Sequence, residues 1–338
     1  MLIDYPHKRG IHCETANTKN LLDFFGYNYS EPLIFGIGSG IDFIHFPFVL
    51  FNDVEAPVYR TVPVSVFKLF TSRMNIDSHI VTLHNRKKLV ETLNSLLEKG
   101  IPTGILTEVY NLPYFKVCSP DDHFKGHHAV VVGKEGNEYL ISDTEAGLPF
   151  DGYQRIHSDD LINAIMPKSN FIPTGKLFYL DSYSQPGDIK SAIIKGIKTT
   201  CYKMLKIPLP FFGYKGIKLF SDRIRLLEKK YGTKGAIASF KWQYLSSEVI
   251  TGGSAYRFMY LHFLEEASRI FQDDVLVDLS KEMLTIANHW QKFALELTRA
   301  IKNYDNKINL DMLGDMMASI SPMEKKLFYQ LNEWVEKK

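Results

Sequence analysis

Long hydrophobic runs are missing from this chain. No stretch of about 18 apolar residues occurs, so no segment reads as a membrane-spanning helix. The longest apolar stretch, FIHFPFVLF at 43–51, is strand-length. The opening residues, MLIDYPHKRGIHC, lack the apolar core of a signal peptide. Cysteine is scarce as well. Cys13, Cys118 and Cys201 are odd in number, widely spaced and in no metal-ligand pattern. That argues against a disulfide framework and for a reducing compartment, so a cytoplasmic protein is expected. His45, His123, His157, His262 and His289 show no metal-ligand spacing, and neither a metal nor a cofactor is expected. The sequence has no internal repeat, no low-complexity tract and no nucleic-acid recognition motif.

What is present is an ordinary globular composition, 45% apolar and 23% charged. A length of 338 residues suggests two domains. The net charge is only +2, but it is unevenly spread. Thirteen Lys/Arg face three Asp/Glu between Asp188 and Lys241, a local excess of +10, and the remainder sums to −8. Such a run is either a set of solvated helix faces or a docking surface for an acidic partner.

Residues 14–25 carry Leu21, Leu22 and Phe25 at helical spacing, with Gly26 as a stop. Ser30-Glu31-Pro32 opens a second, short helix that FGIGSG at 35–40 ends. Gly36, Gly38 and Gly40 lack the Lys-Ser/Thr of a phosphate loop and read as tight helix-end packing. Residues 85–99 form an amphipathic helix closed by Gly100. The period then changes. IPTGILTEVY at 101–110 reads as a strand, HAVVVG at 128–133 and EYLISDT at 138–144 as a hairpin, and KLFYLDS at 176–182 as a further strand. SYSQPGD at 182–188 is a linker, after which the periodicity is almost wholly helical, with Gly252-Gly253 as a break. The expectation is an α+β first domain over 1–182 with an antiparallel sheet, followed by an all-α domain over 183–338.

A free cysteine is usually a small buried hydrophobe. Cys13 has a different setting, because it precedes or opens a helix whose positive end favours a thiolate. Its neighbours Gly10, His12, Glu14 and Thr15 are not core-like. Cys118 and Cys201 lack such a setting and read as structural. A cysteine nucleophile needs a base, and the base needs an orienting group. With a turn near Gly136, positions 127–128 and 143–144 face each other, so Asp143 can reach a histidine. Side chains alternate along a strand, so His127 and His128 point to opposite faces and one of them is the base.

GHHAVVVG…LISDT resembles the His-to-Asn/Asp strand pair of papain-like and bacteriocin-processing (C39-type) cysteine peptidases. In those families a glycine follows the base by six residues and the Asn or Asp by sixteen. Counted from His127 these are Gly133 and Asp143, and from His128 neither offset fits. HCETANTKNLLDFFGYNYSEPLIFGIGSGIDF at 12–43, LPY at 112–114 and TGGSAYRFMYLHFLEEA at 251–267 together resemble the butirosin biosynthesis protein H family.

That resemblance implies an acyltransferase with a papain-like N-terminal domain and a helical C-terminal domain. It implies an acyl carrier protein or coenzyme A thioester as donor and a small amine or alcohol as acceptor, in secondary metabolism. Cys13 would be the acylated nucleophile, His127 the base and Asp143 the orienting group. The glutamine that papain-like enzymes place six residues before the cysteine is His7 here, which becomes the candidate oxyanion donor beside the Cys13 N–H. Glu31, Tyr110 and Tyr114 fall in family-like motifs and either line the acyl site or hold the fold. His128 is a further candidate at the site. Arg257 lies on one helix with Tyr260 and Glu265 and either forms an intradomain ion pair or meets substrate or carrier. The +10 segment suits an acidic carrier protein. The helical domain is expected to exclude water while the acyl-enzyme lives. Two other readings use the same scaffold. One is a cysteine hydrolase (peptidase, amidase or thioesterase), and the other is a binding module with an unreactive Cys13.

Overall fold

The computed structural model describes residues 1–51, 53–115, 125–145, 148, 152–167, 174–302 and 309–338. In chain order, α1 is Cys13–Phe24 and α2 Glu31–Ile37. Four short strands follow: β1 Ile41–Ile44, β2 Leu50–Phe51, β3 Val54–Glu55 and β4 Val58–Arg60. Next come α3 Ser65–Arg73, β5 His79–Thr82, α4 Arg86–Glu98 and β6 Thr103–Glu108. Strands β7 Lys125–Glu135, β8 Glu138–Ser142 and β9 Tyr153–His157 lead to α5 Ser158–Ile165 and β10 Lys176–Tyr179. The helices α6 Ile189–Cys201, α7 Gly213–Ile224, α8 Leu227–Tyr244, α9 Arg257–Phe271, α10 Asp274–Lys302 and α11 Leu310–Glu336 complete the chain. No helix among the described residues is long and apolar enough to cross a membrane.

The protein is α+β, with an antiparallel sheet in its N-terminal part and helices dominating its C-terminal part. The chain groups into two compact units, residues 1–34 with 62–188, and 35–61 with 189–338. This differs from a single cut after residue 182. The apolar stretch that begins at Phe43 explains the difference. Phe43 is fully buried against Tyr59, Phe220 and Trp290, so residues 35–61 belong to the core of the helical unit. A side chain at Gly36 would stand about 2 Å from the Phe263 ring of that core, which is the tight packing its sequence context suggested.

In the first unit the strand order is β5-β10-β6-β7-β8-β9, and every neighbouring pair is antiparallel. All six residues of β6 are buried, as expected for a central strand. The helix expected at 85–99 is α4, capped by the Asn85 side chain accepting from the Lys88 N–H at 3.1 Å. The hairpin is also present, but Val131/Gly133 carries a register shift, so Val130 pairs with Ser142 and Asp143 lies just past the paired part of β8. The sequence reading had positions 127–128 facing 143–144. The shift brings Asp143 one residue nearer to His127 than the register at the turn, where Glu135 pairs with Glu138, would place it.

In the second unit the Gly-Gly break extends further than two residues. Gly252, Gly253, Ser254, Ala255 and Tyr256 all have positive φ, from 51° to 95°, before α9 begins. Three of these are not glycine, so the segment is strained and must be held. Arg257 holds it: its guanidinium donates to Ala255 O at 2.7 Å and pairs with Glu324 at 2.8 and 2.9 Å. Glu324 also accepts from Trp290 Nε1 at 2.7 Å, and neither charged side chain is exposed. Removing one partner leaves a buried charge alone, so Arg257→Ala should cost about 3–5 kcal/mol. Urea unfolding followed by Trp fluorescence checks this, and an unchanged midpoint would contradict it.

Candidate active site

The site lies in the first unit, where the N-terminus of α1 meets β7. Cys13 is the first residue of α1, and His12 before it is extended. One side chain on the next turn of the helix fixes the contact. Asn17 Nδ2 donates to Cys13 O at 2.7 Å, to His128 O at 2.8 Å and to Thr144 Oγ1 at 3.2 Å. Helix, strand and the segment after β8 are thus tied at one amide. The loop before Cys13 is tied by Glu31, which accepts from Ile11 N at 3.0 Å, His12 N at 3.3 Å and Thr15 Oγ1 at 2.8 Å. Burial is the largest influence on Glu31 and raises its pKa, against the pull of these hydrogen bonds.

His127 and Asp143 meet as the sequence suggested. His127 Nε2 is 2.8 Å from Asp143 Oδ2, and both groups are buried. Asp143 is itself oriented, because Oδ1 accepts from Glu145 N at 3.1 Å and Oδ2 also accepts from Tyr114 OH at 3.1 Å. Phe115 lies edge-on to the His127 ring at 4.7 Å. Burial pulls the His127 pKa down. The charge and hydrogen bond of Asp143 outweigh it, with Cys13 adding in the same direction, so the ring stands well above its ordinary value.

His128 is also at the sulfur, with Nδ1 3.8 Å from Cys13 Sγ. Alternation had left open which of the two rings meets Cys13, and this contact is made by His128. The strand is irregular there: pairing with β6 shifts register between Thr107 and Glu108, and Gly126 has φ 132°. A bulge at a strand end re-aims the side chains beside it.

The other candidates separate clearly. His7 does not suit the oxyanion role, because its Nε2 accepts from Gly152 N at 3.3 Å and its Nδ1 is 2.8 Å from Ser142 Oγ. With Nε2 accepting, Nδ1 carries the proton and donates to Ser142, so both nitrogens are engaged. Tyr114 supports Asp143, and Glu31 supports the Cys13 loop. Tyr110 is 54% exposed on the turn after β6. Arg257 is sealed in its pair with Glu324, which corrects its reading as a substrate contact. Burial pushes the Cys201 thiol up to about 12, as suits a structural cysteine. Cys118 and His123 lie outside the described residues. Among the described residues no group of His, Cys, Asp and Glu could hold a metal ion. The sequence reading missed Asn17 and Glu14, whose signal was their spacing from Cys13, four residues and one residue along the same helix.

A family model described as butirosin biosynthesis protein H, N-terminal, matches residues 12–144. A second, described as a domain of unknown function (DUF4872), matches residues 159–331, half of the chain. The chain belongs to the butirosin biosynthesis protein H-like family. The match to the butirosin biosynthesis protein H N-terminal domain spans Cys13, His127 and Asp143 and leaves out His7. The DUF4872 match takes in the strained segment and both members of the Arg257–Glu324 pair. Among solved structures, one described as a C39-like peptidase from Bacillus anthracis is similar at 13% identity and a TM-score of 0.35, covering 54% of this chain and 98% of that one. No curated protein matches the sequence.

The balance of influences on His127 gives a direct test. In Asp143→Asn the charge that opposes burial is gone, so the NMR titration of the His127 ring should move down from its wild-type position. An unmoved titration would contradict the assignment of Asp143 as its main partner.

Proposed function

We propose that this chain is a cysteine-dependent acyltransferase of secondary metabolism, working in the cytoplasm. Cys13 is its nucleophile, His127 its base and acid, and Asp143 the group that orients His127. The observation that carries this reading is the ring of His127, held through Nε2 by Asp143, with Cys13 at the positive end of α1 among the groups that raise its pKa. Membership of the butirosin biosynthesis protein H-like family supports a cysteine enzyme of biosynthesis.

The donor is an acyl carrier protein or coenzyme A thioester, and the acceptor a small amine or alcohol. In the first step the Cys13 sulfur attacks the thioester carbonyl. A new thioester forms on Cys13, the old C–S bond breaks, and the leaving thiolate takes the proton from His127. In the second step the acceptor attacks the acyl-Cys13 carbonyl while His127 removes its proton, and the Cys13 sulfur leaves. The N–H of Cys13, at the first position of α1, has no intrahelical acceptor and is the backbone donor for the developing oxyanion. An acidic carrier protein docks on the basic 188–241 segment, where Lys195, Lys198, Lys206, Lys218 and Lys229 are exposed.

Intact mass after incubation with an acyl-carrier thioester tests the reading. The wild-type chain should gain one acyl group and Cys13→Ala none. Release of the acyl group at one rate with or without added amines would make the chain a hydrolase. A wild-type chain that is never acylated overturns both the transferase and the hydrolase.

A further inference from the structure

The residue that follows the nucleophile has a second task. Glu14 is fully buried, with Oε1 accepting from Val66 N at 2.9 Å and from Phe67 N at 3.2 Å. These are N–H groups of the first turn of α3. The N-cap of that helix, Val64, offers no side-chain acceptor and sits at φ 69°, a costly conformation for a β-branched residue. Glu14 therefore supplies the cap from a distance, and the positive end of α3 suits a carboxylate there. Its other oxygen, Oε2, is 3.7 Å from His128 Nε2. His128 is equally buried, and its opposite nitrogen is the one 3.8 Å from Cys13 Sγ.

We infer that Cys13 sits between two imidazole–carboxylate pairs, and that the second, His128–Glu14, holds a permanent positive charge against the sulfur. This rests on the reading of Cys13 as nucleophile and extends it. Among the described residues, those that face the His128 ring include Cys13 and Glu14 from α1, His127 beside it on β7, and Phe178 of β10 at 5.7 Å. Asp143, from the end of β8, is turned to His127 and Tyr114. A buried carboxylate on one side of His128 and a sulfur anion on the other both favour the imidazolium. The two rings then divide the work. The proton exchanged during reaction belongs to His127 and the Cys13 sulfur. His128 keeps both of its protons, donates Nδ1–H to the sulfur anion and lowers the charge cost of forming it. His128 is thus a catalytic residue, and Glu14 a positioning residue that acts through it.

Histidine-labelled 15N NMR of the intact chain at neutral pH tests this first. The His128 ring should show both nitrogens protonated, and a neutral ring overturns the proposal. Glu14→Gln keeps an acceptor oxygen for Val66 and Phe67 while removing the charge. In that variant the His128 ring should become neutral. The iodoacetamide alkylation rate of Cys13 at about pH 6, relative to that at about pH 9, should fall about tenfold. An unchanged ratio in folded Glu14→Gln would show that Glu14 serves α3 alone. If that variant does not fold, the wild-type spectrum decides. Neither readout uses an acyl donor, so a doubly protonated His128 in a chain that cannot be acylated would sink the transferase reading and His128's catalytic role while leaving the His128–Glu14 charge pair standing.

Discussion

The amide of Asn17 is the constraint on which the site depends. One side chain binds the carbonyl of Cys13, the carbonyl of His128 and the hydroxyl of Thr144, next to Asp143. These three groups come from α1, β7 and the segment after β8, and no stretch of sequence holds them together. Glu31 adds a tie to the loop in front of Cys13, and Tyr114 fixes the far side of Asp143. Rotamer freedom is removed before any substrate arrives, which is the condition for a preorganised site.

Charge inside this site is handled by pairing. Buried imidazoles ordinarily lose their proton, since burial disfavours the charged form. Here each ring faces a carboxylate, Asp143 for His127 and Glu14 for His128. Each carboxylate is in turn held by backbone N–H groups, of Glu145 for Asp143 and of Val66 and Phe67 for Glu14. The helical unit uses the same device for a different end. Arg257 and Glu324 neutralise one another beside Trp290 and hold a run of left-handed residues in place.

Much of this was legible in the sequence. The period change from helix to strand located the hairpin, and the resemblance to papain-like peptidases, through its offset of sixteen residues, joined His127 to Asp143. The helix start at Cys13 followed from the apolar pattern of Leu21 and Leu22. Four things were not legible. The register shift at Val131/Gly133 left no mark in the sequence, because one extra residue on a strand does not interrupt a run that is apolar throughout. Alternation left open which of His127 and His128 meets the sulfur, and the irregular strand end sets the His128 ring 3.8 Å from it. The aromatic stretch at 43–51 looked like a strand of the first domain. It packs with the later helices instead, because burial is decided by partners distant in sequence. His7, chosen by its offset from Cys13, is engaged by Ser142 and Gly152.

The account stands on a thiol and an imidazole being within reach of each other in the folded chain. A bifunctional haloketone reports that reach directly, since it alkylates a reactive thiol first and then any imidazole within a few bonds. Peptide mass mapping should recover Cys13 joined to the peptide that contains His127 and His128. Cys13 alkylated at one end only, with no imidazole captured, would contradict the arrangement.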